Sequence, residues 1–204
     1  MGQRLNIEIV YKREENTEDE VVLANAYYHW SAYTTSANYL ALKIVEKIEK
    51  DNFDFDSISD KRLYAIRLLE ATGALVANED HDAIAEIYPD LTFKKAESRN
   101  DGLISYSEKG IEDTRNWEEG RITIYLKDKT VNATCHHEYD DRTQYFEDYE
   151  AEEDDIVGSE FHADTSNMTF EEFRQFDAAC DYASENGYSA FESANGDTII
   201  ALIE

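Results

Sequence analysis

The 204-residue chain carries 46 acidic and 19 basic side chains, a formal charge of −27. An apolar fraction of 42%, one proline and eight glycines exclude wholesale disorder, and a chain of this length is expected to form one domain, or one domain with an appendage, burying roughly 70% of its unfolded surface. A field of this sign repels phosphate backbones and anionic lipid surfaces, which excludes direct binding to nucleic acid or membranes unless a basic patch survives, and the sequence shows none.

In chain order, Leu5, Ile7 and Ile9 alternate with polar residues and predict a strand where a signal peptide would need an apolar run. Gly2 is no lipidation site, because Asn6 stands where Ser or Thr is required. A charged turn, Glu14 to Asp19, leads to a second strand, Val21 to Tyr28, which makes a hairpin. After Thr34, Thr35 and Ser36, any of which can cap, the residues Ala37, Leu40, Ala41, Ile44, Val45 and Ile48 recur at three and four and predict a helix to about Asp51. The dense aromatic stretch Tyr27 to Tyr33 lacks the Lys and Arg that base stacking needs, so packing over this helix is the expected role.

A second helix is capped near Ser59 or Asp60, turns Leu63, Ile66, Leu68 and Leu69 inward and stops at Gly73. His81 to Tyr88 predicts a short third helix ended by Pro89. Leu103 to Tyr106, Arg121 to Leu126 and Val131 to His137 read as strands, the last two joined as a hairpin through Lys127 to Thr130. Between them Gly110 to Gly120 reads as a loop or a single helical turn. Thr169-Phe170-Glu171-Glu172 is a capping box opening a helix with Phe173, Phe176, Ala179, Cys180 and Ala183 on one face, ending at Gly187. Tyr188 to Ser193 and Thr198 to Ile203 close the chain as a hairpin around Asn195-Gly196. The expected class is α+β, with antiparallel hairpins and three to four amphipathic helices.

Charge divides the chain into an α+β core, 1–137, and an acidic C-terminal part, 138–204, packed on the same core. The first holds 26 acids and 17 bases; the second holds 20 acids and only Arg142 and Arg174 as bases, so it carries −18 of the −27. Eleven of those acids lie between Glu138 and Glu160. Such blocks mark a solvated segment or an interaction surface.

Candidate chemistry is sparse. Cys135, His136, His137 and Glu138 combine thiolate, imidazole and carboxylate, but on a strand Cys135 and His137 face one side and His136 and Glu138 the other, short of a tetrahedral ligand set. The preferred reading is a strand end with ordinary histidines; a metal-binding or enzymatic domain there is one alternative. Cys135 and Cys180 read as small apolar residues of a reducing cytosol. Glu152 to Asp155 with Glu160 do not follow an EF-hand spacing. No phosphate loop, dinucleotide fingerprint, nucleophile elbow or zinc-protease helix occurs. No catalytic residue, metal or cofactor is therefore expected, and the chain is expected not to be an enzyme.

On a helix, carboxylates three or four residues apart stand about 5–6 Å from each other, near the separation of successive phosphates. Glu147, Glu150 and Asp154, like Glu147, Asp148, Glu152 and Asp155, make such rows if that segment is helical. The candidate partner-binding residues are thus Glu147, Asp148, Glu150, Glu152, Glu153, Asp154 and Asp155, with Glu171 and Glu172 of the capped helix. Tyr145 and Tyr149 either anchor the acidic block to the core or serve as its apolar contacts. In composition and size the chain resembles the small acidic proteins by which phages and mobile elements block host defence proteins, CRISPR effectors among them, by imitating nucleic acid. That resemblance implies a non-catalytic, stoichiometric inhibitor of a basic host protein, acting in the cytoplasm; no motif transfers. The other alternative is an immunity or antitoxin-like protein that neutralises a basic toxin.

Overall fold

The computed structural model describes residues 4–16, 19–96, 102–116, 118–139, 159–186, 191–192 and 198–200. Its centre is a seven-stranded sheet of order β3-β4-β2-β1-β5-β6-β7. The strands are β1 (Leu5–Val10), β2 (Val22–Tyr28), β3 (Leu75–Val76), β4 (Leu103–Ser105), β5 (Gly120–Tyr125), β6 (Thr130–Tyr139) and β7 (Ser159–Thr169). The helices are α1 (Thr34–Asp51), α2 (Lys61–Glu70), α3 (Asn78–Ile87), α4 (Glu108–Arg115) and α5 (Phe170–Asn186). A short pair, β8 (Phe191–Glu192) and β9 (Thr198–Ile200), forms the terminal hairpin.

The class is α+β as expected, but hairpins are only part of it. β1 runs antiparallel to β2 and parallel to β5, and β3 runs parallel to β4. β4 and β5 point the same way with β2 and β1 between them, so α4 must cross the sheet to join them. The segment expected to be a loop or a single helical turn overlaps that crossover helix, which is capped by the Ser107 hydroxyl accepting from the Gly110 amide at 3.1 Å. Its one buried residue, Ile111, left no apolar periodicity to read.

One face of the sheet is apolar. Leu5, Ile7, Ile9, Ala24, Ala26, Ile104, Ile122, Ile124, Val131, Ala133 and Cys135 are buried in a single cluster with the inward faces of α1, α2 and α5. Asp60 caps α2 through the Leu63 amide at 2.9 Å, and Gly73, at φ 91°, allows the left-handed turn that follows it. α1 departs from expectation at its start: Tyr33 is the capping position, no side chain closes the cap, and Thr34 is buried.

β7 was not legible, because the alternation of Phe161 and Ala163 with Glu160, His162 and Asp164 is short and lapses at Thr165-Ser166-Asn167. It pairs with β6 along its length, placing His136 opposite His162 and Glu138 opposite Glu160. The position 137/138 therefore falls inside β6, and Phe173, Phe176 and Cys180 beyond it are fully buried in the common core. The aromatic stretch does not pack over α1 as a unit. Trp30 is 60% exposed, edge-on to His29, while Tyr28 packs against the core and bonds Thr72.

Candidate functional site

Strand alternation puts Asn6 and Glu8 on the face opposite Leu5, Ile7 and Ile9. On that face the register aligns a polar row across five strands: Ser105, Asn25, Glu8, Thr123 and Asn132. Beside it runs a second row: Leu103, Tyr27, Asn6, Arg121 and Thr134. Asn6, Glu8, Asn25, Ser105 and Thr123 are all buried. Burial of this much polar surface is costly unless every group is bonded, so the hydrogen-bond network decides whether the face is stable.

α4 supplies the partners. Arg115 grips Glu8 with two bonds, Nε to Oε1 at 2.5 Å and a terminal nitrogen to Oε2 at 2.8 Å. Asn6 donates to the Thr114 carbonyl at 3.2 Å and to Glu118 at 2.9 Å. Asn25 donates to the Thr114 hydroxyl at 2.7 Å and to Asn6 Oδ1 at 3.3 Å. Arg121 forms a fork on Glu118. At the far end Tyr125, its hydroxyl pushed up to about 12 by burial and then by Glu20, donates to Glu20 at 3.1 Å. Among the described residues Asn25 Oδ1 alone of these groups is buried without a partner.

This layer is an internal polar network joining a crossover helix to a sheet. Sequence reasoning missed it because Asn6, Glu8 and Asn25 alternate with apolar residues, a pattern read as solvent-facing. The informative signal was the bidentate-capable Arg115 and the acids Glu118 and Glu119, which only the fold brings to β1.

Cys135, the residue on which the metal-binding or enzymatic alternative centred, packs in the core. Cys135 is fully buried on the apolar face and burial pushes its thiol up; Cys180, also buried, is pushed up to about 12 by the same cause. Burial of this kind favours the neutral thiol over the thiolate. Among the described residues no group of three or more His, Cys, Asp and Glu side chains is placed to hold a metal.

Of the expected partner-binding residues, Glu147, Asp148, Glu150, Glu152, Glu153, Asp154, Asp155, Tyr145 and Tyr149 lie outside the described residues. The segment holding them, 140–158, joins β6 to β7, whose ends Tyr139 and Ser159 are paired. Glu171 is exposed in the first turn of α5, 3.8 Å from Arg174. Glu172 closes the capping box: it accepts from the Thr169 amide at 2.7 Å, and its own amide donates to the Thr169 hydroxyl at 3.2 Å. Its carboxylate is thus engaged in helix capping, while Glu171 projects outward. Comparison of the chain with protein-family models, curated proteins and solved structures found no match. No described helix is long and apolar enough to cross a membrane.

Asp177, on α5, is pushed up from 3.8 to about 6, first by desolvation and then by Asp181. The buried Asn38 amide on α1 lies near enough to favour the charged carboxylate slightly, yet closes no bond of acceptable geometry. An acid whose folded value is raised destabilises the fold as it ionises: the penalty is absent below about pH 4, grows to pH 6 and is constant above. Because the group is half exposed, screening reduces the penalty to about 1 kcal/mol. Asp177→Asn is expected to raise the melting temperature at pH 7.5 and to lose that advantage at pH 4. Equal shifts at both pH values would remove Asp177 from the account.

Proposed function

We propose that this chain is a non-catalytic acidic protein that binds a basic, nucleic-acid-binding protein, a host defence nuclease or CRISPR effector, by charge mimicry. The observation that carries the reading is the concentration of charge. Residues 140–158 hold nine acids and one arginine in the connection between two paired strands. Further support comes from the cations. Arg4, Arg115, Arg121, Lys127 and Arg174 each pair with an acid outside residues 140–158, so these cations are engaged away from the acidic block. A field of this kind speeds encounter with a cationic partner by ten- to a thousand-fold at low salt, an advantage that shrinks as the Debye length falls.

The test neutralises Glu147, Asp148, Glu150, Glu152, Glu153 and Asp155 to their amides and measures capture of purified basic nucleases and toxins by immobilised protein. Loss of capture is expected, with the melting temperature unchanged or slightly raised by reduced repulsion. Unchanged affinity would overturn the reading. A toxin captured in place of a defence nuclease would move the chain to the immunity class, since both targets answer to the same field.

A further inference from the structure

A cavity of about 830 Å³ opens beside the polar face, between the first turns of α3 and α4 and the ends of β2 and β4. Its size is within the range that holds small-molecule ligands. The wall includes Asp80, a carboxylate only 4% exposed. Asp80 Oδ2 accepts the Tyr106 amide at 3.0 Å, and among the described residues no cation pairs with it. The start of α3 offsets part of its charge, but a carboxylate this deep ordinarily has a counter-ion.

The other charges on the wall nearly cancel. Arg4 is held by Glu119, whose two oxygens take its amide at 2.9 Å and its guanidinium at 3.4 Å. Lys109 stands one turn from Asp113 on α4, a spacing that lets each offset the other. Glu79 and Asp80 remain as uncompensated acids. Two rings complete the wall, Tyr27 and His29, the Tyr27 hydroxyl meeting His29 Nδ1 at 3.0 Å. A buried carboxylate flanked by hydroxyl acceptors is a setting for an ammonium group, a compact cation with three donors. The hydroxyl of Ser105, a buried residue of the same wall, adds an acceptor.

We propose that this cavity binds a small organic cation bearing a primary ammonium group, which would sit against Asp80 as its counter-ion. The proposal is independent of the acidic segment and of any protein partner.

The probe is 1,4-diaminobutane, titrated calorimetrically into the full chain at about 0.15 M salt, where loosely held counter-ions are screened. Saturable binding at one site is expected. Asp80→Asn should weaken it by about tenfold or more, whereas Glu86→Gln, an equal charge change at an exposed position of α3, should leave it within about twofold. If Asp80→Asn does not fold by circular dichroism, the exposed pair Glu79→Gln and Asp113→Asn takes its place, with a loss of about threefold or more expected. Absence of binding, equal losses in Asp80→Asn and Glu86→Gln, or an unchanged affinity in the substitute pair would overturn the proposal. So would saturable binding of inorganic phosphate abolished by Lys109→Met, which would make the cavity an anion site.

Discussion

Arg115→Met is expected to cost about 3 kcal/mol of folding stability, read as a fall in the urea midpoint with an unchanged slope. Glu8 is 2% exposed and its two oxygens are both taken by Arg115. Removing the guanidinium leaves a carboxylate in the middle of the sheet with no cation to meet it. Breaking buried pairs costs about 3–5 kcal/mol, and the low end applies because Arg115 itself is two-fifths exposed and water can partly replace it. The double variant Glu8→Leu with Arg115→Met separates the value of the pair from the cost of orphaning one member. It is expected to recover most of the loss, since Asn25 donates to Asn6 and Thr114 and neither bond depends on Glu8. If the single variant stays within about 0.5 kcal/mol of the parent, the pair is not what fastens α4 to the sheet.

Phe173→Ala is expected to destabilise the fold by about 3–5 kcal/mol, a third or more of the stability of an ordinary domain. Phe173 and Phe176 are both fully buried, with ring centroids 6.2 Å apart, where α5 lies over the apolar face beside α1. Deleting one ring removes its transfer free energy and leaves a void that neighbours only partly close. At about 2–4 °C per kcal/mol for a chain of this size, the melting temperature should fall by about 10 °C. A fall below about 3 °C would mean that α5 is not part of the cooperative core. Because α5 follows the acidic segment in sequence, this variant also tells whether partner capture requires the helix to be docked.

Much of this architecture was legible locally. Periods of two and of 3.6 in apolar residues located β1, β2, β4, β5, α1, α2 and α5, and capping residues marked the starts of α2 and α5, because these signals act over one or two turns. β7 and α4 escaped for opposite reasons. β7 is the edge strand of the sheet and alternates only over Glu160 to Asp164 before a polar run, whereas α4 buries one apolar side chain and is held mainly by polar contacts from Thr114 and Arg115. The cavity wall was illegible altogether, since Tyr27, Asp80 and Ser105 come from three elements that meet only after the sheet is assembled.

By itself, then, the sequence determined the class, the boundaries of most elements and the uneven distribution of charge, all of which depend on neighbours within a few positions. Tertiary structure decided which strands pair and what lies over the second face. The parallel pairing of β1 with β5 joins residues about 115 positions apart, and it is set by the burial of one shared apolar surface and not by any local preference. That pairing carries α4 across the opposite side. Asn6, Glu8 and Asn25 would look outward to water in an isolated hairpin; the crossing helix makes them the interior of the molecule, where each donor and acceptor must find a partner in the chain.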